Sequence, residues 1–421
     1  MPIKPLEKSG HCKFGAGSHH MVVISRAVFV TLVVLFCTTP LFADGYRNVP
    51  EGARSVGAFG GHRAFADDAN ANIHNSANLV DLEQPMIQIN TTFGYGRNEF
   101  HGTGGSDKTE NPFVVLPGFS AAMPFKDGKY AVGLSSYIAY GRSVDWGDAD
   151  LFATTPVYPS PGSPTYPYKG SMMVADFTPN FAMRLTDSLS FGIGADIYYG
   201  TVKQYQYIAP GLRSKLTADG NAIGWNASMT WKITERQRLA ATYRSPFSIK
   251  YKGDNHLTGM PDSDASAKIE YPAIVGLAYG IEFTDTFRAE VDGEWLDFSQ
   301  YEKLTVNDSQ LGTTTAAQSL KDTWTVGIGT EWDFLPQWTL RSGFMYLENP
   351  TPEQTYSSLG PDTDQGVVSI GLGYETEHHA VDVGYAIGIF NGRNVRGSSN
   401  SPDGKYDYSY QVLSLSYGYK F

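Results

Sequence analysis

Cysteine is nearly absent from this chain. Its 421 residues include two cysteines, Cys12 and Cys37, and both precede the processing site that we expect after Ala43. The exported chain would then contain no cysteine. This excludes a disulfide framework and a cysteine-ligated metal site.

Long apolar runs and an excess of basic charge are lacking as well. Downstream of residue 43, no run approaches the roughly 18 apolar residues that a membrane-spanning helix needs, and the mean hydropathy is -0.27. A helical membrane protein is therefore excluded. The 32 Lys and Arg residues are outnumbered by 43 Asp and Glu residues, which gives a net charge of -11 and argues against nucleic acid as a partner.

The one long apolar run, residues 27–43, follows Arg26 near the N-terminus. It is short, contains Pro40 and ends in small residues, as a secretory signal peptide does. A membrane anchor is the alternative, but the run is too short to span a bilayer. We expect residues 1–43 to be a leader with a signal peptide, and Met21 is an alternative start.

The last residues of the chain alternate between apolar side chains and small or polar ones, which predicts a β-strand with one apolar face. The apolar positions are Leu413, Leu415, Tyr417, Tyr419 and Phe421. A closing strand that ends in an aromatic residue resembles the C-terminal assembly signal of bacterial outer-membrane barrels. We therefore expect the barrel-assembly machinery to be a partner. An edge strand of a soluble protein is the alternative.

Segments of this kind recur from residue 86 onwards, and about 14 can be counted, which fits the even strand number of bacterial barrels. Short connections alternate with long ones, such as those expected near residues 211 and 259. Within one segment, Val381 and Val383 flank Asp382, and a charge that faces lipid at mid-depth is destabilising. The predicted fold is all-β, a 14-stranded antiparallel transmembrane β-barrel over residues 86–421. A soluble β-sandwich is the alternative.

Residues 44–85, which we name the hatch segment, do not alternate and are too polar to span a membrane. Residues 60–69 (GGHRAFADDA), followed by Asn75-Ser76-Ala77, resemble the small N-terminal hatch of the FadL/TodX (OMPP1) outer-membrane transporters. That family has Asn-Pro-Ala where this chain has Asn75-Ser76-Ala77. Further stretches similar to family signatures, in the same order, are 242–246 (TYRSP), 321–324 (KDTW), 338–343 (WTLRSG) and 361–364 (PDTD).

The resemblance implies a barrel plugged by this hatch, located in the bacterial outer membrane. It also implies passive uptake of long-chain fatty acids or other hydrophobic compounds. We expect a monomer surrounded by outer-membrane lipid and lipopolysaccharide, with a hydrophobic small molecule as substrate and with no cofactor. A general porin and a lipid-modifying enzyme are the alternatives, although the sequence shows no catalytic Ser/His/Asp motif and no metal-spacing motif.

The positions expected to face the lumen carry cations and carboxylates, and ion pairs that brace the wall are the simplest interpretation of most of them. The carboxylate of a fatty acid would need one or two cations near the outer half of the barrel. Lys203, Arg244 and Lys321 are the candidates for substrate binding. The proline- and tyrosine-rich loop 151–168 is predicted to form an apolar capture surface, with a stiff surface loop as the alternative.

The family resemblance further implies that ligand leaves sideways, where the third strand bends near the hatch turn. The third predicted strand, residues 130–142, contains Gly133, and glycine weakens strand pairing. We expect a bulge at Gly133 and an opening beside Asn75, Ser76 and Ala77, so that these four residues would gate the exit. The alternative is that Gly133 makes room for a neighbouring side chain.

Overall fold

The computed structural model describes residues 45–103, 105–148, 167–209, 212–390 and 392–421. The expected leader and most of the predicted capture loop, residues 151–166, lie outside these ranges. Within them, the helices are all too short or too polar to cross a membrane.

The hatch segment contains three short helices, and the rest of the chain is built almost entirely from strands. The helices are α1 (Ala53–Gly57), α2 (Ala71–His74) and a 3-10 helix (Ser76–Asp81). The strands are β1 (Met86–Gly102), β2 (Gly105–Lys108), β3 (Phe113–Phe125), β4 (Tyr130–Asp148), β5 (Pro167–Thr186), β6 (Leu189–Ala209), β7 (Leu212–Thr234), β8 (Gln237–Arg244), β9 (Phe247–Leu257), β10 (Ser263–Tyr271), β11 (Ile274–Thr284), β12 (Phe287–Leu296), β13 (Lys303–Asp308), β14 (Gly312–Ala317), β15 (Thr323–Leu335), β16 (Trp338–Leu347), β17 (Gln365–Glu375), β18 (His379–Phe390), β19 (Arg393–Val395) and β20 (Gly404–Lys420).

These strands form a closed antiparallel barrel of 14 strands. Closure follows from the last strand, because β20 pairs with β1 on one side and with β18 on the other. Two of the 14 barrel strands are interrupted and are therefore numbered as two consecutive strands each: β8 with β9, and β10 with β11. Strands β2, β13, β14 and β19 belong to the outer connections. The predicted all-β barrel fold is confirmed.

The alternation of apolar and small or polar side chains predicted for the C-terminal residues matches the two faces of β20. Leu413, Leu415 and Tyr417 are 40%, 41% and 46% exposed, whereas Ser414 and Ser416 between them are buried. Successive side chains of a strand point to opposite faces. The apolar face of the barrel wall is therefore turned outwards to lipid, and the small polar face is turned inwards.

Two connections predicted to be long are short in the structure. The ladder between β6 and β7 runs out to the pair Ala209 and Leu212, and β9 ends at Leu257, only six residues before Ser263 begins β10. The predicted long connections near residues 211 and 259 are therefore wrong. Backbone hydrogen bonds between neighbouring strands extend the ladders outwards, and a broken side-chain alternation does not interrupt those bonds.

Strands β3 and β4 separate halfway along their length. Their ladder ends at the pair Phe119 and Ser136, while β3 stays paired with β1 as far as Phe113. Beyond this point β4 shifts register against β5 between Ile138 and Tyr140. Residues 113–118 of β3 therefore have no partner on β4. We call this interval the β3–β4 gap.

The bulge expected at Gly133 lies elsewhere. Gly133 pairs regularly with Ala122 and Asn180, and the register shift falls six residues later, at Ala139. The prediction of a bulge at Gly133 is wrong. A Cβ atom on Gly133 would collide with the side chain of Asn72 in the hatch segment, so the glycine makes room for that neighbour.

The hatch segment contacts the inner side of the wall at several glycines. Gly57 meets Gly371 of β17, and Gly60 and Gly61 meet glycines of β15, in each case backbone against backbone. Such an approach leaves no space for a Cβ atom on either partner. Residues 57–61 of the hatch segment thus pack closely against β15 and β17, because glycine on both sides lets the backbones approach.

Candidate functional site

A cavity of about 520 Å³ lies between the start of the hatch segment, the outer ends of β5 and β6, and the outer connections. Two cations contribute to its lining, Arg142 from β4 and Lys203 from β6. Its apolar lining includes Tyr46, Met172, Ile269, Tyr301, Leu304 and Leu320. An apolar cavity with a few polar anchors suits an amphipathic ligand.

Of the three predicted substrate-binding cations, Lys203 alone lines this cavity. Its side chain is exposed and forms no ion pair within the described ranges of the chain. Its predicted role in binding a carboxylate stays a prediction, and the geometry is compatible with it.

The other two predicted cations are engaged in ion pairs. The Arg244 guanidinium lies 2.7 Å from a carboxylate oxygen of Asp176 and 2.8 Å from one of Asp196. Lys321 pairs with Glu348 at 3.0 Å and is absent from the cavity lining. Neither residue lines the outer cavity, whereas Arg244 lines the second, inner cavity described below. The predicted role of Arg244 and Lys321 in substrate binding stays a prediction.

Arg142 is a cavity cation that the sequence analysis missed. Its guanidinium donates a hydrogen bond to the carbonyl oxygen of Gly45, which ties β4 to the first described residue of the hatch segment. It also interacts electrostatically with Asp362 in the connection before β17. Burial raises the pKa of Asp362 to about 7, and the charge of Arg142 opposes that rise. Position 142 lay at the edge of a predicted strand, and nothing in the sequence set it apart from other lumen-facing cations.

Aromatic rings separate this outer cavity from the interior. Tyr198 and Phe247 stack at 3.6 Å between ring centroids, and Phe247 stacks on Tyr271 at 4.5 Å. The rings of Tyr46 and Tyr140 contact Tyr271 edge-on at 5.3 Å and 5.0 Å. We name these five residues the aromatic partition. Tyr46 lines the outer cavity, and Tyr140 lines a second cavity further in.

The second, inner cavity is small, about 110 Å³, and many of the residues that line it are polar or charged. Arg47 and Arg63 of the hatch segment line it, and both are paired with carboxylates of β12. Arg47 lies 2.6 Å from Glu294, and Arg63 lies 3.0 Å from Asp292 and also pairs with Glu294. Breaking such buried pairs is costly, so the network holds the hatch segment against β12.

Two histidines of the hatch segment are buried beside this network. The rings of His62 and His74 are 4.7 Å apart between centroids, and His74 Nε2 lies 2.9 Å from the carbonyl oxygen of Glu51. Burial lowers the pKa of His74 to about 4 and holds the pKa of His62 well below its usual value. Both rings are therefore neutral at pH 7, which suits their place beside Arg63.

The predicted gate turn contacts β7 rather than the β3–β4 gap. Asn75 Nδ2 donates to Thr230 Oγ1 at 2.7 Å, and the backbone N–H of Ala77 donates to Ser228 Oγ at 2.8 Å. The hydroxyl of Ser76 lies 2.9 Å from the same oxygen. Buried backbone donors need partners, and β7 supplies them here. Asn75 and Ser76 also line the inner cavity, together with Ala139 and Tyr140 of β4. The role of this turn in gating stays a prediction.

A different part of the hatch segment lies at the gap. Arg47 forms an isolated antiparallel bridge with Tyr140 of β4. The backbone N–H of Asn48 donates to the carbonyl of Ala139 at 3.1 Å, and Gly141 donates to Tyr46 at 2.9 Å. Residues 46–48 thus supply hydrogen-bond partners to the edge of β4 that β3 leaves unpaired. In the sequence, the one signal for these residues is an aromatic residue, Tyr46, soon after the expected processing site.

Comparison with known proteins agrees with this architecture. A family model described as "Outer membrane protein transport protein (OMPP1/FadL/TodX)" matches residues 35–421. The long-chain fatty acid transport protein of Escherichia coli O6:H1 is 22% identical over 445 residues, covering 93% of this chain and 97% of that protein. The protein of the same name from Salmonella typhi is 23% identical over 437 residues, with the same coverage.

Solved structures show the same fold. A FadL homologue from Pseudomonas aeruginosa superimposes with a TM-score of 0.78 at 19% identity, covering 90% of this chain and all of that one. The toluene transporter TodX of P. putida gives a TM-score of 0.73 at 16% identity, covering 89% and 99% of the two chains. The family model spans the hatch segment and the whole barrel. The chain therefore belongs to the OMPP1/FadL/TodX family of outer-membrane transport proteins, which are channels and not enzymes.

Proposed function

We propose that this protein carries long-chain fatty acids or other hydrophobic compounds passively across the outer membrane. The outer cavity of about 520 Å³ supports this most directly, because its lining combines apolar residues with two cations, Arg142 and Lys203. An acyl chain would lie against the apolar residues, and its carboxylate would face the cations. The relatives named long-chain fatty acid transport proteins agree with an acid substrate.

Capture would occur at the outer connections. Most of loop 151–168 lies outside the described residues, but its last two residues, Pro167 and Tyr168, line the cavity. A ligand held by this loop would therefore be adjacent to the cavity.

Passage further inwards requires the aromatic partition to open. Tyr46 is the member of the partition that belongs to the hatch segment, and its hydroxyl donates to the carbonyl of Glu270 at 2.5 Å. Displacement of residues 46–48 would remove one ring from the partition and free the edge of β4 in the same motion. The same displacement would break the ion pair between Arg47 and Glu294. The rest of the hatch segment would stay in place, because its glycine contacts and the ion pairs of Arg63 with β12 lie outside residues 46–48.

Release would then be sideways, through the β3–β4 gap into lipid. Each CH₂ group kept out of water contributes about 0.8 kcal/mol, so a long chain gains far more by entering lipid than by entering the aqueous periplasm. The gap lies next to the inner cavity, whose lining includes Ala139 and Tyr140 of β4.

A reversible lock on residues 46–48 tests this proposal. Arg47 and Tyr140 are bridge partners, so the double variant Arg47→Cys/Tyr140→Cys should form a disulfide when oxidised. We expect the oxidised protein to take up no labelled palmitic acid, and the reduced protein to recover uptake. The two single cysteine variants, oxidised in the same way, are the controls. Uptake by the locked protein at the reduced rate would contradict the proposed motion.

The same preparations distinguish the alternative of a general porin. A transporter closed by the hatch segment should pass little salt current in planar bilayers, whether the lock is closed or open. A large, steady current through the unmodified protein would favour an open pore and would overturn the proposed hatch function.

A further inference from the structure

Glu51 is a buried carboxyl group in the hatch segment whose surroundings the proposed pathway leaves unexplained. Its side chain is 6% exposed, and its Oε1 atom has no hydrogen-bond partner among the residues that the structure describes. An unpartnered buried oxygen is costly. Buried ionisable groups of this kind cluster at functional sites.

The carboxyl group lies at the point where β3 and β4 part. Oε1 occupies the space that a side chain on Gly118 would fill. Gly118 immediately precedes Phe119, whose pair with Ser136 ends the β3–β4 ladder. On the opposite side, Tyr137 and Ala139 of β4 line the inner cavity together with Glu51. The group therefore sits at the inner edge of the β3–β4 gap.

The cations that line the inner cavity form ion pairs with carboxylates other than Glu51. Arg47 and Arg63 pair with carboxylates of β12, and Arg244 pairs with Asp176 on β5 and Asp196 on β6.

Two further polar neighbours, His74 and Asn90, carry no charge at pH 7. His74 touches the backbone carbonyl of Glu51 and not its carboxyl group. Asn90 of β1 is the polar side chain that faces the carboxyl group, and its hydrogen bond opposes the rise in pKa that burial causes. Burial dominates and raises the pKa of Glu51 to about 7, so an appreciable fraction of this group carries a proton at neutral pH.

We propose that Glu51 donates its proton to the carboxylate of an acid substrate at the β3–β4 gap, so that the substrate enters lipid as the neutral acid. This inference rests on the proposed function. The O–H bond of Glu51 breaks, an O–H bond forms on the substrate, and the electron pair stays on the Glu51 carboxylate. A hydronium ion from the surrounding aqueous phase then protonates Glu51 again and becomes water. One proton is taken up from solution for each molecule of acid released, and no oxidant or reductant is needed.

Energetics favour such a step. A carboxylate cannot enter hydrocarbon without a cost of several kcal/mol, whereas the neutral acid enters readily. Burial at the gap raises the pKa of the substrate's carboxyl group for the same reason that it raises the pKa of Glu51. Donor and acceptor are thereby brought close in acidity, which is the condition for fast proton exchange.

Two substrates of equal chain length separate this role from a structural one. Palmitic acid needs a proton before release, and hexadecanol does not. In Glu51→Gln the amide keeps the shape of the protonated group but has no acidic proton. At pH 7 we expect palmitic acid uptake to fall by about tenfold, with hexadecanol uptake unchanged and partial recovery in Glu51→Asp. Glu83→Gln, an exposed glutamate of the same segment, is the matched control.

The outcomes are distinct. Unchanged palmitic acid uptake in Glu51→Gln, or an equal loss for both substrates, would overturn the role of Glu51 and leave the proposed function standing. If the unmodified protein carries neither substrate, the proposed function itself fails.

The pH profile of the unmodified protein gives a second measurement that needs no variant. The ratio of palmitic acid to hexadecanol uptake should stay level up to about pH 7 and fall above it, as Glu51 loses its proton. A ratio that falls about tenfold per pH unit from pH 5 upwards is the behaviour of acid that becomes neutral in solution without a donor, and it would overturn the proposal.

Discussion

Gly57 of the hatch segment lies with its backbone against Gly371 of β17, and a Cβ atom on Gly57 would be 2.8 Å from the Cα atom of Gly371. We expect Gly371→Val to push the hatch segment away from the wall, at a cost of about 1–3 kcal/mol. Ion conductance in planar bilayers should rise severalfold.

Gly293→Val is the control for this variant. It adds the same side chain to β12 at a position where the nearest atom to a new Cβ is 3.9 Å away. An equal rise in conductance for both variants would show that the contact between Gly57 and Gly371 does not seat the hatch segment.

The ion pairs between the hatch segment and β12 should contribute more than pairs at the surface. Arg63→Ala leaves Asp292 buried without its cation, and the loss of one partner from such a pair costs about 3–5 kcal/mol. Arg236→Ala removes an exposed pair with Asp285 and should cost less than about 1 kcal/mol. Thermal unfolding, followed by the gel mobility of the heated protein, compares the two. An equal loss of stability in Arg63→Ala and Arg236→Ala would mean that water solvates Asp292 once its cation is removed, and that the buried pair contributes no more than the exposed one.

Binding of the substrate carboxylate should depend on the cations that line the outer cavity. Arg142→Met is expected to weaken palmitic acid binding by about tenfold or more, since a hydrogen bond to a charged group contributes about 1.5–3 kcal/mol. Lys203→Met should act in the same direction and less strongly, because its side chain is exposed. Hexadecanol binding should not change in either variant.

Lys321→Met provides the matched control for carboxylate binding, because Lys321 pairs with Glu348 and lies outside the cavity lining. Equilibrium binding of a fluorescent fatty acid measures all three variants. A loss of affinity in Lys321→Met as large as that in Arg142→Met would restore Lys321 as a ligand-binding residue and place the carboxylate nearer the outer connections.

Acid should loosen the hatch segment. The pKa of His74 is about 4 in the folded protein against 6.5 for an ordinary histidine, so folding favours the neutral ring. Its contribution is fully present above pH 6.5 and is lost as the pH falls towards 4, by about 3 kcal/mol in total. We expect conductance to increase as the pH is lowered through this window. In His74→Asn the increase should be smaller, and an identical pH response in this variant would exclude His74 as its cause.

The sequence by itself determined the barrel. Strand alternation is a local property, since neighbouring side chains point to opposite faces whatever the strand pairs with. Val381, Asp382 and Val383 therefore indicated a lipid face and a lumen face before any partner strand was known. Short turns between segments likewise indicated the antiparallel order, and the count of 14 strands followed.

The tertiary structure alone decided which lumen residues meet. Arg63 and Asp292 are 229 positions apart in sequence, and no local pattern relates them. The same holds for Arg244, whose two carboxylate partners, Asp176 and Asp196, lie on other strands. Ion pairing is set by distance in the closed barrel, because a buried charge takes the nearest opposite charge that the wall offers.

The position of the gap was also a tertiary property. Gly133 is conformationally permissive, but permissiveness does not specify where a ladder breaks. The ladder breaks where residues 46–48 of the hatch segment supply alternative hydrogen bonds to β4, around Ala139. A backbone edge inside the barrel stays unpaired by its neighbouring strand only if another segment satisfies its donors and acceptors, and that segment is brought there by the fold of the whole chain.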